Sequence, residues 1–403
     1  MYKLLRLSLV LALAPALAMS QGKNQGPCAD ATIDLSGLSA LSEIKLTKLE
    51  GLESLKELKT LTALEGLESL GLLEGLEDME ALEGLDELEE LMEQTTPAQT
   101  GEQTAEAAAY DVEKRKTIDK TYKVNKSDML NIQNKFGKVH INTWNKNEVH
   151  VKVEIIARAG SESKAQEVLD NIKVMESREG NTISFRTSIE PMRVSGNTNK
   201  GFEINYTVSM PEENALTVKN SFGDVYLAAL KGKANINVKY GSLKCDRLSN
   251  SGNTVTLAYG SGSCGYFNGG NMDVSYGNMN VEGANGLQGS SKFSDFKLGS
   301  LGETMEMDVK YGSFAVNNIS KNIKRINLSS GFTPISLTFE PNTAFNFDVN
   351  VQFGDFKYDK SAVNITSLEK GHTSAEYRGA FGGASPKGLV SVSSKYGDVK
   401  FMK

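Results

Sequence analysis

A short unit, aromatic-Gly-(Asp/Ser/Asn)-apolar-x-apolar, recurs through the second half of this 403-residue chain and limits its fold more than any other feature. It stands at Phe222-Gly223-Asp224-Val225, Tyr240-Gly241-Ser242-Leu243, Tyr276-Gly277-Asn278-Met279, Tyr311-Gly312-Ser313-Phe314, Phe353-Gly354-Asp355-Phe356 and Tyr396-Gly397-Asp398-Val399, with weaker copies at Tyr259 and Phe293. From 222 to 311 the aromatic residues lie 18, 19, 17, 17 and 18 residues apart. A near-constant period of this size is expected of a parallel β-solenoid in which each repeat makes one rung. On this reading glycine supplies a positive-φ corner, and the short polar residue after it bonds to the turn backbone. The alternating residues that follow then point inward and outward in turn. Five residues past each aromatic stand Leu227, Cys245, Cys264, Val281, Leu298, Val316, Tyr358 and Phe401, an apolar column of the kind an inward ladder needs.

Cys245 and Cys264 fall in that column in successive rungs. Rungs about 4.8 Å apart bring the Cα atoms within bridging range, but parallel Cβ vectors would strain a disulfide, so the expectation is two small buried thiols. Cys28 has no partner on this reading. Three cysteines in a chain of this length show a fold that does not depend on disulfides.

The composition changes along the chain. Lys3 and Arg6 precede the apolar run Leu7 to Ala18, and small residues follow at Ala16, Ala18 and Ser20, so residues 1–20 read as a secretory signal, too short to span a membrane. The first cysteine, Cys28, follows Gly26 and Pro27, which does not fit a lipoprotein signal, and no later stretch is apolar enough for a transmembrane segment. From Gln21 to Ala109 there is no Phe, Tyr or Trp, whereas every aromatic outside the leader lies from Tyr110 onward, which marks a domain boundary. Residues 34–93 hold 17 acids and 4 lysines, net −13, while residues 94–403 hold 37 basic and 32 acidic residues, net +5. With no basic cluster and an export signal, nucleic acid is excluded as a partner.

The acidic segment, 21–93, is a leucine-triplet repeat. Leu or Met recurs every third residue from Leu46 to Leu91, and Leu-Glu-Gly-Leu returns at Leu49, Leu64, Leu73 and Leu82. Three residues advance about 300° on an α-helix, so the leucines visit every face rather than forming the fixed seam of a coiled coil. The leucine-rich-repeat strand signature is absent. The segment reads as helix interrupted by Gly51, Gly66, Gly71, Gly75 and Gly84, each of which costs about 1 kcal/mol relative to Ala. It serves either as a spacer or as a self-association element. Residues 94–109 read as a flexible linker.

Residues 110–211 read as an antiparallel α+β opening unit. Phe136-Gly137-Lys138-Val139 starts a strand to Trp144, Asn145 to Asn147 turns it, and Glu148 to Ile156 returns. Ser163 with Gln166 forms a capping box for a helix whose Ala165, Val168, Leu169 and Ile172 share one face. Strands near 173–177, 182–188 and 202–210 complete the unit, and the solenoid occupies 212–403.

Three stretches together resemble the bacterial putative-adhesin family of exported proteins: Phe136 to Trp144, Ser209-Met210-Pro211 with its polar turn, and Leu216 to Val225 with the Gly-Asp/Ser corners that follow. The resemblance covers about residues 122–403. It implies a right-handed β-solenoid at the cell surface or in the periplasm, with adhesion as a family label. The aromatic corners depart from the family's more usual Ser-Gly-Asp corners, and the leucine-triplet segment lies outside it.

A search for chemistry yields no catalytic, cofactor or metal site. The corner acids Asp224 and Asp295 are four rungs apart, about 19 Å at the rung spacing, beyond the roughly 5 to 9.5 Å of a glycosidase pair. His140 and His150 flank a tight turn and share a sheet face, yet no third ligand accompanies them, and His372 stands alone. There is no G-x-S-x-G, C-x-x-C, H-E-x-x-H or Walker loop. Gly223, Asp224, Gly241, Gly277, Gly312, Gly354, Asp355, Gly397 and Asp398 read as structural corners. Tyr240, Tyr259, Tyr276 and Tyr311 read as a supporting stack or, alternatively, as a sugar-stacking stripe.

The sequence therefore points to an exported, non-enzymatic, adhesin-like scaffold. It would present a repetitive β surface to a glycan or protein ligand, with the leucine-rich segment as its tether or spacer or as a self-association element. The alternatives are a carbohydrate-active β-helix enzyme and a periplasmic structural or stress-sensing protein.

Overall fold

The computed structural model describes residues 112–191, 200–383 and 386–403. The leader, the leucine-rich segment, the linker and Cys28 lie outside them. Strands make up 71% and helix 3% of what is described, so the chain is mainly β, arranged as an open sheet that does not close into a barrel.

The opening unit comprises β1 (Val112–Lys123), β2 (Met129–Lys135), β3 (Val139–Trp144), β4 (Glu148–Ala159), α1 (Glu162–Asp170), β5 (Ile172–Glu179), β6 (Thr182–Ile189) and β7 (Lys200–Pro211). β4 pairs antiparallel with β1 on one side and β7 on the other. β3 and β4 do not form the hairpin expected from their short turn: β7 lies between them, parallel to β3. Its alternating Ile204, Tyr206, Val208 and Met210 are all buried, so inserting it buries a full apolar face that an exposed strand would leave in water. The helix is capped two residues earlier than expected, by Ser161 rather than Ser163. The Ser161 Oγ accepts from the Lys164 N–H at 3.4 Å, and Ala165, Val168 and Leu169 face the core. β1 escapes sequence reading because charges dominate it, and only Ile118 and Tyr122 pack on the core.

The repeats supply β8 (Ala215–Ser221), β9 (Val225–Leu227), β10 (Ala234–Lys239), β11 (Leu243–Leu248), β12 (Asn253–Ala258), β13 (Ser261–Phe267), β14 (Gly270–Lys310), β15 (Ser313–Ile319), β16 (Arg325–Gly331) and β17 (Ile335–Phe339). In each tier one strand segment enters the aromatic corner and another leaves it, and β14 runs unbroken through the corners at Tyr276 and Phe293. Entering strands pair in parallel with those of neighbouring tiers, as in Val218↔Ile236↔Val255↔Met272. Leaving strands form a second parallel series, as in Leu227↔Cys245↔Cys264↔Val281 and Leu298↔Val316↔Leu337. Inward residues of both series belong to one apolar core. Cys245 and Cys264 sit opposite each other within it, buried and unbridged.

Space and chain order part company at the C-terminal end. β18 (Phe345–Gln352), β19 (Phe356–Tyr358), β20 (Val363–Lys370) and β21 (Ser374–Phe381) precede β22 (Gly388–Lys395) and β23 (Val399–Met402) in sequence. Yet β22 lies between β16 and β18, and β23 between β17 and β19. The last repeat is thus inserted inside the stack, and Phe401 meets Leu337 on one side and Tyr358 on the other. β21 and β20 then continue the sheet antiparallel from β18.

Candidate functional site

Ten aromatic residues, Phe136, Phe222, Tyr240, Tyr259, Tyr276, Phe293, Tyr311, Phe332, Tyr396 and Phe353, take φ values of +51 to +60 at the corners. Left-handed backbone at a residue with a Cβ costs roughly 1–2 kcal/mol. The compensation is visible in their rings, which stack in that spatial order at centroid distances of 4.5–5.1 Å and interplanar angles of 2–13°. Phe202 closes the first end, edge-on to Phe136 at 5.3 Å.

Glycine was expected to carry the positive φ, but the aromatic residue carries it. Glycine is required for room. A Cβ on Gly223, Gly241, Gly260 or Gly277 would lie 1.9–2.1 Å from the carbonyl oxygen of the glycine one tier before it. At Gly312, Gly354 and Gly397 a Cβ would meet the carbonyl oxygens of Ser294, Gly397 and Thr333 at 1.9, 2.4 and 2.3 Å. Two tiers replace this glycine with buried Ser294 and Thr333, whose hydroxyls donate to the carbonyls of Lys292 and Gly331 at 2.7 and 3.0 Å.

The corner acids bond between tiers rather than to their own turns. The Asp224 carboxylate accepts from the Ser242 hydroxyl at 2.6 Å and the Ser242 N–H at 3.0 Å, and these bonds hold its pKa below the usual carboxylate range. Asp295 accepts from the Ser313 hydroxyl at 2.6 Å, and Asp398 accepts from the Asp355 N–H at 3.0 Å. Asp398 also pairs with Lys357, which lowers its pKa.

The four tyrosines of the suggested sugar stripe therefore sit in one column, but both faces of each ring are covered by neighbouring rings. A sugar stacks on an aromatic face, so these four tyrosines offer only ring edges, most openly at Tyr276, which is 41% exposed. Burial between Tyr240 and Tyr276 raises the Tyr259 phenol. Sequence reading missed Phe332, where Thr333 replaces the glycine, and placed Tyr396 after Phe353 instead of before it.

His140 and His150 do not converge. β7 separates their strands, His140 stacks near Tyr226 at 5.7 Å, and the His150 Nε2 lies 2.8 Å from Asp119. Among the described residues no group of three or more His, Cys, Asp or Glu could hold a metal, and no helix is long and apolar enough to cross a membrane. Acids do gather in a groove of about 810 Å³ lined in part by Glu306, Asp308, Asp348 and Glu376. Arg378 pairs with both Asp348 and Glu376, Lys310 lies 3.6 Å from Asp308, and none of the four carboxylates is buried. That setting lacks the apolar pocket that lets a carboxyl act as a general acid.

No protein-family profile matches the chain, and no curated protein matches it in sequence. Among solved structures, the chain is similar to a putative cell adhesion protein from Clostridium sporogenes, at 12% identity over 72% of this chain and 99% of that one, with a TM-score of 0.21. It is also similar to a putative adhesin from Bacteroides fragilis, at 13% identity over 71% and 97% with a TM-score of 0.33. A putative lipid binding protein from Parabacteroides distasonis matches at 11% identity over 71% and 97%, with a TM-score of 0.28. Likeness at this level assigns neither family nor function.

Proposed function

We propose that this chain is an exported, non-enzymatic scaffold, a right-handed parallel β-solenoid that presents its repetitive polar surface to a glycan or protein ligand at the cell surface. The supporting observation is the unbroken column of ten stacked corner rings. It fixes successive tiers in register, so outward residues recur at strand spacing and form a long regular surface. Right-handed coiling is the hand that parallel crossover connections take. The leucine-rich segment serves as spacer or self-association element on this reading, and deleting residues 34–93 separates the two through the change in oligomeric state.

Protease shaving of intact cells tests the reading, with antibody detection of the repeats and a periplasmic protein as control. The expected result is loss of the repeat signal with the control intact. Full protection of the repeats would overturn a surface role and favour a periplasmic protein acting through protein contacts.

A further inference from the structure

The outer face of the entering strands carries a set of cations drawn together from distant parts of the chain. Gln133 of β2 pairs with Arg186 of β6 on one side and Lys219 of β8 on the other, and Lys219 pairs with Asn237 of β10. Two residues further along these strands, Lys135 pairs with Ser221, and Ser221 with Lys239. Their neighbours Ile132, Phe185, Val218 and Val238 are buried, so strand alternation turns the cationic set outward. Lys219 and Lys239 thus lie diagonally on one face, about 8 Å apart at their Cα atoms.

These residues line a groove of about 380 Å³. Every residue along it is polar, and none is Asp or Glu. Arg186, Lys219 and Lys239 take part in no ion pair among the described residues, whereas Lys120, Lys231 and Lys324 elsewhere on the surface each meet a glutamate.

We propose that this groove binds an acidic polysaccharide, one that carries carboxylates along a hydroxyl-rich backbone. Arg186, Lys219 and Lys239, held on one face without a counter-charge, favour an anionic guest. The span from β6 to β10, roughly 14 Å at strand spacing, suits a repeating anion rather than a single one. Between them stand Gln133, Ser221 and Asn237, which exchange hydrogen bonds with hydroxyls. No aromatic ring lines the groove for base stacking, and no apolar side chain lines it for a lipid or an amphipathic helix. The groove at the other end of the same outer face holds Glu306, Asp308, Asp348 and Glu376 with Lys310 and Arg378 beside them, and so offers the polymer no comparable cationic set.

The site deepens the reading above and rests on it for the setting in which a polysaccharide is met. Binding by the purified full chain tests the groove, and shaving tests the setting, so either can fail alone. The probes are polygalacturonate and its fully methyl-esterified form, which keeps the backbone and removes the charge. Binding is expected to the acid form only, to weaken steeply with salt, and to fall by about ten-fold in the K219Q/K239Q variant. E306Q should leave it undiminished. Equal binding to both polymers, no binding of the acid form at low salt, or unchanged binding by a folded R186Q/K219Q/K239Q variant would overturn the proposal. So would loss of a homodimer in those variants without polygalacturonate binding, which would make the face an interface between copies.

Discussion

Phe401 tests the inserted repeat most directly. Its side chain is 2% exposed, and its ring meets Phe356 at 4.9 Å, Phe339 at 5.3 Å, Phe345 and Phe347 at 6.0 Å and Phe381 at 6.5 Å. These partners come from β17, β18, β19 and β21, so one ring joins strands that precede and follow it in the stack. Replacing a buried phenylalanine by alanine removes its transfer free energy and leaves a cavity, together about 3–5 kcal/mol. At roughly 2–4 °C per kcal/mol for a domain of this size, Phe401→Ala should lower Tm on the order of 10 °C. In a repeat stack stability adds over neighbouring interfaces, and an interior tier contributes two of them. Lys400→Ala, next to it but exposed, should stay within about 0.5 kcal/mol of the parent. Urea unfolding followed by far-UV circular dichroism measures both. A loss below about 1 kcal/mol for Phe401→Ala would show that β23 does not lie between β17 and β19, and would refute the insertion.

Two further outcomes follow from the same geometry. Gly260→Ala places a Cβ 1.9 Å from the Gly241 carbonyl oxygen, and Gly252→Ala meets nothing closer than 3.5 Å, so the first should cost about 1–3 kcal/mol or more and the second little, as read by denaturant midpoints. Burial raises the Tyr206 phenol from 10.0 to about 12. Its folded pKa lies above its unfolded one, so its stabilising contribution is complete below pH 10 and is lost as pH rises toward 12, by about 2–3 kcal/mol in all. Tyr206→Phe should lose about 1 kcal/mol at pH 8 with the Thr187 hydrogen bond, and should show a shallower decline in alkaline melts.

Much of the repeat was legible because packing wrote it into the sequence at short range. The aromatic-Gly spacing and the apolar column from Leu227 to Val316 correspond to parallel registers that pair the same positions tier by tier. What did not show depended on contacts distant in sequence. Nothing local to Tyr396 says that its ring lies between Phe332 and Phe353, and nothing in the turn at 145–147 says that β7 will enter between β3 and β4. The cationic groove was hidden for the same reason. Arg186, Lys219 and Lys239 look scattered along the chain and meet only through the β6-β2-β8-β10 pairings. The source of the positive φ was misread because glycine is the usual residue for it. At these corners a steric demand between tiers claims the glycine, and the strained angle passes to its neighbour.

That exchange raises the question of what holds ten aromatic residues in a conformation that glycine would adopt freely, and the answer is quantitative. At Tyr276, φ +55 costs about 1–2 kcal/mol, a strain that Tyr276→Gly would relieve. Against this stand two stacked contacts, at 4.8 Å to Tyr259 and 5.0 Å to Phe293, each contributing about 0.5–1.5 kcal/mol beyond the apolar area covered. Area and stacking together exceed the strain, so Tyr276→Gly should lower stability by about 1–3 kcal/mol despite the easier backbone. Tyr276→Ala loses the same contacts and keeps the strain, so it should fall about 1 kcal/mol further. Tyr276→Phe keeps both ring faces and should match the parent. The order parent and Phe, then Gly, then Ala, measured in one set of urea titrations, is specific to a stack that outweighs its own backbone strain. A glycine variant as stable as the parent would mean that the rings hold nothing together.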